Sequence, residues 1–355
     1  MKVIVTGGAG FIGSAVCRRM VLREGWAVAA VDKLTYAGHL SSLLEVVNRP
    51  NFRFEQIDIC DREAIHRLFS EFRPDAVMHL AAESHVDRSI GAPQDFIRTN
   101  IVGTSVMLEA SRGYWTKLGP SEQARFRFHH VSTDEIFGSQ EPGEFASETT
   151  RADPHSPYAA SKAAADHLVS AWGHTYGLPV IISNSCNNYG PYQLCEKLIP
   201  LAILNALDGL PVPVYGDGQN VRDWLYVEDH IRALILILTK GVPGQSYNVA
   251  ARNEQTNLTV VQSLCDLIDK YAGAQDRKKL ITFVQDRPGH DRRYGVDSSK
   301  LEKELGWQPQ EAFDTGLDKT VRWYLSNKEW WAPIRAAGHG KQRIGILTGE
   351  IEKIP

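Results

Sequence analysis

Apolar and polar positions follow two alternating periods through the first 180 or so residues. Val3 to Thr6, Ala27 to Val31, Phe52 to Ile57, Ala76 to Leu80, Arg127 to Ser132 and Val180 to Ser183 are short apolar runs of strand length. Between them, Phe11 to Glu24 and Arg62 to Phe72 repeat apolar residues every three to four positions and predict helices. Repeated strand–helix alternation predicts an α/β fold with a Rossmann-like, doubly wound parallel sheet. Such a sheet collects ligands beyond the carboxyl ends of its strands. After Asn187 the pattern loosens, broken by Pro191, Pro200, Pro211, Pro213 and Gly216. Helical spacing returns at Leu198 to Leu207, Val227 to Thr239, Val260 to Tyr271 and Leu317 to Ser326. The pattern predicts a first domain over 1–186, with later segments at about 212–250 returning to it. A smaller, discontinuous α/β lobe is expected over 187–330 and an appended tail over 331–355.

Composition narrows the function classes. Of 355 residues, 43% are hydrophobic and 23% charged, which excludes disordered, collagen-like and coiled-coil classes. A net charge of -3 argues against a general nucleic-acid or anionic-membrane binder. A phosphate-bearing ligand must then be held by local basic groups. The five cysteines (Cys17, Cys60, Cys186, Cys195 and Cys265) form no CxxC pair. They predict neither a disulfide framework nor a metal site, and they fit a reducing, cytoplasmic setting. The chain opens on MKVIVTGGAGFIG without a signal-peptide pattern, and no apolar run is long enough for a membrane span.

The opening strand runs into Gly7, Gly8, Gly10 and Gly13, which satisfy G-x-G-x-x-G ahead of a predicted helix. Glycine suits this place because the turn is tight and the backbone must approach a pyrophosphate. The helix then offers free N–H groups and its positive dipole end. Asp32 ends the second strand, roughly 20 residues on, where a carboxylate bonds an adenosine ribose. It would repel a 2′-phosphate, so NAD is favoured over NADP. Lys33, which follows, softens that exclusion. Phe11 and Ile12 in the turn, and Leu34 and Thr35 after Lys33, belong to the same expected cofactor site. Asp58 and Ile59 after the third strand are candidates for the adenine border. Leu80, Ala81 and Ala82 after the fourth are small enough to let a cofactor lie against the sheet. A bare glycine turn is the bland alternative, but strand, glycines, helix and acid occur here in the required order.

Tyr158 and Lys162 are four residues apart in PYAASKAAADHLV, so on a helix begun by Pro157 they share one face. An adjacent ammonium lowers a tyrosine pKa from about 10 and makes the phenolate a usable base. Ser132-Thr133-Asp134-Glu135 follows the fifth strand directly. Two neighbouring carboxyls exceed what hydride transfer needs and suit added acid and base chemistry. Alone, each feature is as often an ordinary surface pair or helix cap. Together, behind a nucleotide turn, they point to one reactive site.

The glycine turn with YxxxK resembles the extended short-chain dehydrogenase/reductase superfamily of nucleotide-sugar enzymes. The ordered blocks DKLTYAG, HLAAESHVDRSI, STDE, SPYAASKAAADHLV, NNYGPYQLCEKLIP, VRDWLYVEDH and DRPGHDRRY are similar to the dTDP-glucose 4,6-dehydratase family within it. They span residues 1 to about 330. Phe137 in DEIFG departs from the tyrosine usual in the family, and the last residues exceed its pattern. The resemblance implies a hydro-lyase whose tightly bound NAD is used and regenerated in each turnover. It implies Tyr158 as base at the C4 hydroxyl, Thr133 as hydrogen-bond partner of that oxygen, Glu135 as base at C5 and Asp134 as acid at the C6 hydroxyl. Asp134 should therefore be neutral and Glu135 ionised. It places Ser84, Asn187, Lys197, Leu198, Arg222, Asn257, Arg287 and His290 around the nucleotide sugar, Pro213 to Tyr215 near its base, and Thr99 and Asn188 at the cofactor. Another NDP-sugar 4,6-dehydratase or a 4-epimerase is the nearest alternative, and a non-catalytic NAD-sensing regulator a remote one. Residues 95 to 112 (Phe96, Ile97, Ile101, Val102, Val106, Met107 and Leu108) and 158 to 176 are apolar on more than one face. That predicts a homodimer packed through these helices.

Overall fold

The computed structural model describes residues 1–338 and builds a seven-stranded, all-parallel sheet. Its strands are β1 (Lys2–Thr6), β2 (Ala27–Asp32), β3 (Phe52–Gln56), β4 (Ala76–His79), β5 (Arg127–Thr133) and β6 (Val180–Ser185). The seventh, Ser246–Val249, comes from the later part of the chain. A second, three-stranded sheet is built from β7 (Asn187–Tyr189), β9 (Val221–Tyr226) and β11 (Glu254–Thr256), and β8 (Val212–Tyr215) pairs with β12 (Ile281–Val284). With Ser246–Val249 as β10, the large sheet runs β3-β2-β1-β4-β5-β6-β10. The chain steps outward from β1 to β3 and then crosses to β4 on the other side. The carboxyl ends of β1 and β4 thus flank the switch point where such sheets bind ligands.

Burial on both faces explains the strands. Val3, Ile4 and Val5 are fully buried, as are Ala29, Ala30 and Val31 next to them. One core lies between the sheet and Phe11–Leu22 with Val227–Lys240, where Val16, Met20, Ile231 and Leu234 pack on Val3 and Val5. The opposite face packs Ile4 and Val77 against Arg62–Phe72 and Thr104–Trp115. Local signals set the helix ends. Asp61 accepts from Ala64 N at 3.0 Å to cap Arg62–Phe72. Ser156 caps Pro157–Tyr176 through Ala159 N at 3.0 Å, Pro157 takes the first helical position, and Gly177 closes the helix at φ +71°.

The second lobe has its own core, in which Ile203, Val214, Trp224, Val261, Leu264 and Tyr324 are buried together. Residues 331–336, read above as the start of a tail, lie inside the helix Lys328–Ala336, and Trp330, Trp331, Ile334 and Arg335 are buried there. Arg335 bonds Asp208 Oδ2 at 2.6 Å and Asn205 Oδ1 at 2.8 Å. Trp330 Nε1 donates to Ser42 Oγ of the first domain at 3.1 Å. The remainder of that segment, 339–355, lies outside the described residues. Among the described residues, no helix is long and apolar enough to cross a membrane. Truncating a buried tryptophan typically costs about 3–5 kcal/mol. Trp331→Ala is therefore expected to lower unfolding free energy by about 3 kcal/mol in chemical denaturation; a change within about 0.5 kcal/mol would mean that this helix does not support the lobe.

Candidate active site

The glycine turn after β1 leaves no room for side chains. Gly7 sits at φ +69°, and a Cβ there would meet Ala81 N at 2.9 Å. A Cβ on Gly13 would lie 2.0 Å from Gly7 O. The helix Phe11–Leu22 begins at Gly10 with no side-chain cap, so its first N–H groups face the cleft bare. Asp32 is stitched to this turn. Its Oδ2 accepts from Ala9 N at 3.0 Å and its Oδ1 from Leu34 N at 2.9 Å. Burial pushes its pKa up, while those two N–H groups and Lys33 favour the charged form. Lys33 Nζ lies 3.3 Å from Thr99 Oγ1 and 3.7 Å from Asp58 Oδ2, joining three residues read separately from the sequence.

A cavity of about 310 Å³ runs from this turn toward the second lobe. Gly7, Gly10, Phe11, Ile12, Gly13, Asp32, Lys33, Thr35, Ile59, Leu80, Ala81, Ala82, Ser84, Thr99 and Asn188 line it. Thr133, Glu135, Tyr158, Lys162, Asn187 and Lys197 line its other part. The side-chain oxygens of Asn187 and Asn188 are buried without partners. A bare helix start, an anchored carboxylate and unpartnered polar atoms along one wall fit a dinucleotide with free ribose hydroxyls.

The reactive residues converge from two elements. The helix Pro157–Tyr176 aims Tyr158 and Lys162 at the end of β5, and the turn after β5 supplies Thr133, Asp134 and Glu135. The Thr133 hydroxyl lies beside the Tyr158 phenol and donates to Asp134 Oδ1 at 3.3 Å. Lys162 Nζ donates to Val131 O at 2.9 Å and lies 3.4 Å from His130 Nε2. The lowering of Tyr158 anticipated from its lysine neighbour is not found. Burial raises its pKa first, the charge of Glu135 raises it further, the Thr133 hydroxyl pulls the other way, and Asp166 adds a smaller rise. Burial brings Lys162 itself down to about 8, with Asp166 opposing.

The two acids sit in different surroundings. Asp134 is 3% exposed and its Oδ2 has no partner. Burial, then Glu135 and Asp223, hold its pKa well above the carboxylate range, against Arg222 and the Thr133 hydroxyl. Glu135 is also raised by burial, but three cations, Arg287, Arg222 and Lys197, favour its charged form.

The remaining predicted residues divide. Lys197 Nζ donates to Ser84 O at 2.9 Å. Tyr215, Arg287 and His290 gather around Asp87: Tyr215 Oη donates to Asp87 Oδ2 at 2.6 Å, Arg287 Nη1 to Asp87 Oδ1 at 3.2 Å, and the Tyr215 and His290 rings meet edge-on at 6.1 Å. Arg222 bonds Asp291 O at 2.8 Å and stacks on Tyr294 at 4.1 Å. Leu34 and Asp58 stand behind the cavity wall, bonded to Asp32 and Lys33. Leu198, Pro213 and Asn257 are not on that wall: Leu198 and Asn257 open helices, and Pro213 lies in β8. Tyr294 escaped the sequence reading, though it closes the block DRPGHDRRY; its hydroxyl reaches Glu135 Oε2 at 3.5 Å and Asp291 Oδ2 at 2.8 Å. Glu196 and Asp87 also escaped it. Buried Glu196 pairs with Arg88 at 3.2 Å beside the cavity. Phe137 is buried among Ile136, Ala146, Ala163, Ala250 and Val296, an environment that needs no hydroxyl.

A dinucleotide turn, a Tyr/Lys pair and a glutamate on one cavity of a doubly wound sheet define an extended short-chain dehydrogenase/reductase. The family model described as GDP-mannose 4,6 dehydratase matches residues 4–320. A dTDP-glucose 4,6-dehydratase of Neisseria meningitidis is 56% identical, covering 97% of this chain and 99% of that protein. One from Escherichia coli is 53% identical, covering 98% of this chain and 100% of that protein. The solved dTDP-glucose 4,6-dehydratase of Streptomyces venezuelae, with NAD and a dTDP ligand bound, superposes with a TM-score of 0.87 at 42% identity, covering 94% of this chain and 100% of that one. The chain belongs to the dTDP-glucose 4,6-dehydratase family.

Gly13→Ala places a methyl group against Gly7 O, so the variant is expected to lose dinucleotide binding. Calorimetric titration with NAD checks this; affinity within about threefold of the parent would contradict the close-approach argument.

Proposed function

We propose that the chain converts dTDP-glucose to dTDP-4-keto-6-deoxyglucose and water, with the residues above in definite roles. The carrying observation is that Glu135, Tyr158 and the glycine turn line one cavity, with Asp134 directly behind. The family's activity and the NAD found in its solved relatives support the same reading. NAD, held at the bare helix start and Asp32, supplies the acceptor for hydride from C4 and its return to C6. Tyr158 removes the C4 hydroxyl proton, and the Thr133 hydroxyl steadies that oxygen. Because burial disfavours the phenolate, positive charge must come to it from Lys162 and from the oxidised nicotinamide. The C4 ketone acidifies the C5 proton, which Glu135 takes. Asp134, held neutral, gives its proton to the departing C6 hydroxyl. Glu135 then returns a proton to C5. Arg222, Arg287 and Lys197 favour the charged form of Glu135 against burial, and they also suit the substrate's phosphates.

A 4-epimerase needs no acid–base pair for loss of water, so the product decides between the readings. Purified protein incubated with dTDP-glucose should form the 4-keto sugar, seen by its alkaline absorbance; dTDP-galactose as the sustained product would contradict the assignment. Tyr158→Phe is expected to lower kcat by about 10²–10⁴-fold. Glu135→Gln should accumulate reduced nicotinamide with substrate yet release no water, which stopped-flow absorbance would follow; full turnover would refute its role.

The quaternary reading is a homodimer. The segment 95–112 proves to be three pieces: Pro93–Phe96, a wider π-helical stretch Ile97–Gly103, and the start of Thr104–Trp115. Phe96, Val106, Met107 and Leu108 are buried within the chain, whereas Ile97 and Val102 are 43% and 47% exposed beside half-buried Ile101. That exposed apolar strip, with Tyr176 on the neighbouring helix, supports packing against a second copy. Ile97→Glu with Val102→Glu is expected to yield monomers in analytical ultracentrifugation; an unchanged dimer would move the interface elsewhere. The free cysteines support a cytoplasmic location.

A further inference from the structure

Beneath the Tyr158/Lys162 pair lies a buried polar cluster that the chemistry above does not use. Tyr158, Lys162 and Asp166 are spaced by four on one helix and form a stripe along one face. Asp166 is 9% exposed and cannot rely on water for its charge. Its Oδ2 accepts from Asn184 Nδ2 at 3.0 Å, and its Oδ1 lies 3.2 Å from His130 Nε2. The same His130 nitrogen is 3.4 Å from Lys162 Nζ, so one imidazole atom stands between ammonium and carboxylate. Burial and Lys162 keep that ring neutral. A neutral imidazole cannot balance the lysine's charge. Asn184 Nδ2 also reaches Thr133 O at 3.3 Å, which links Asp166 to the strand end that carries the acids.

We propose that Asp166 is a positioning residue of this active site, the buried counter-charge that keeps Lys162 protonated beneath Tyr158 and, through Asn184, fixes the carbonyl of Thr133. Among the described residues, the titratable groups facing Lys162 are Asp166 and Tyr158 from its own helix, His130 from β5 and His79 from β4. His79 stacks on His130 at 5.3 Å and spends both ring nitrogens on Thr6 and Thr104 hydroxyls. Asp166 alone of these raises the lysine's pKa. Its own pKa is raised by burial to about 6, so it carries charge across the neutral range in which Lys162 titrates. Removing it drives Lys162 toward the neutral amine and takes positive charge from under the phenol.

This rests on the dehydratase reading for Tyr158's role, but Lys162 can be followed without turnover. Carbon-13-labelled lysine in the NAD-bound protein gives the titration midpoint of Lys162 by NMR, assigned by its loss in Lys162→Met. The midpoint is expected near 8 in the parent and about one to three units lower in Asp166→Asn, because a nearby opposite charge shifts a pKa by that much. The high-pH limb of kcat should move down with it, giving a loss of about fivefold or more at pH 8 with KM little changed. Asp166→Glu keeps the charge and is expected to hold both the midpoint and the limb within about half a unit. An unmoved midpoint in a folded, NAD-binding Asp166→Asn would overturn the proposal while leaving the dehydratase reading intact. If that variant fails to fold, a midpoint in Asp166→Glu lowered by about a unit or more would overturn it instead.

Discussion

The proposed mechanism depends on two carboxyl groups, adjacent in sequence and both buried, carrying different numbers of protons. The turn after β5 buries Asp134, where burial and the charges of Glu135 and Asp223 outweigh Arg222. It sends Glu135 toward Arg287, Arg222 and Lys197. On the proposed mechanism, environment alone assigns an acid and a base role to near-identical side chains. A single sugar ring can then lose a proton at one carbon and a hydroxyl at the next between two hydride transfers.

The fold supplies this asymmetry by combining two bodies. The doubly wound sheet brings the glycine turn and the ends of β4 and β5 to one switch point, and these provide the cofactor cleft, the acids and the Tyr/Lys helix. The cations come from elsewhere: Lys197 precedes the helix Leu198–Leu207, Arg222 lies in β9, and Arg287 follows β12. A Rossmann-like sheet alone would leave both acids uncompensated. On the proposed mechanism the second lobe contributes charge to the site as well as a grip on the substrate.

Much of this was legible in the order of residues. Strand runs such as VIVT and helix signals such as Pro157 and Gly177 act locally, so their elements appear with boundaries shifted by only a residue or two. The glycine turn is legible because only glycine survives the 2.0 Å approach at Gly13. What stayed hidden depends on partners far away in sequence. Ser246–Val249 has nothing local to mark it as the seventh strand of the large sheet; its pairing with β6 does so. The indole and guanidinium groups of Trp331 and Arg335 look like solvated tail residues until the second lobe closes over them. The Tyr158 spacing suggested a lowered pKa, yet burial and the facing carboxylates reverse the sign. Asp166 reads as an ordinary helix acid until β5 and β6 bring His130 and Asn184 to it.

The most direct test follows one hydrogen. With dTDP-glucose deuterated at C4 and ordinary water as solvent, the two transfers occur on one sugar in one cavity, so the account predicts product with the deuterium at C6 of the same molecule. Deuterium retained at C4 of an epimerised sugar, or lost to solvent, would contradict it.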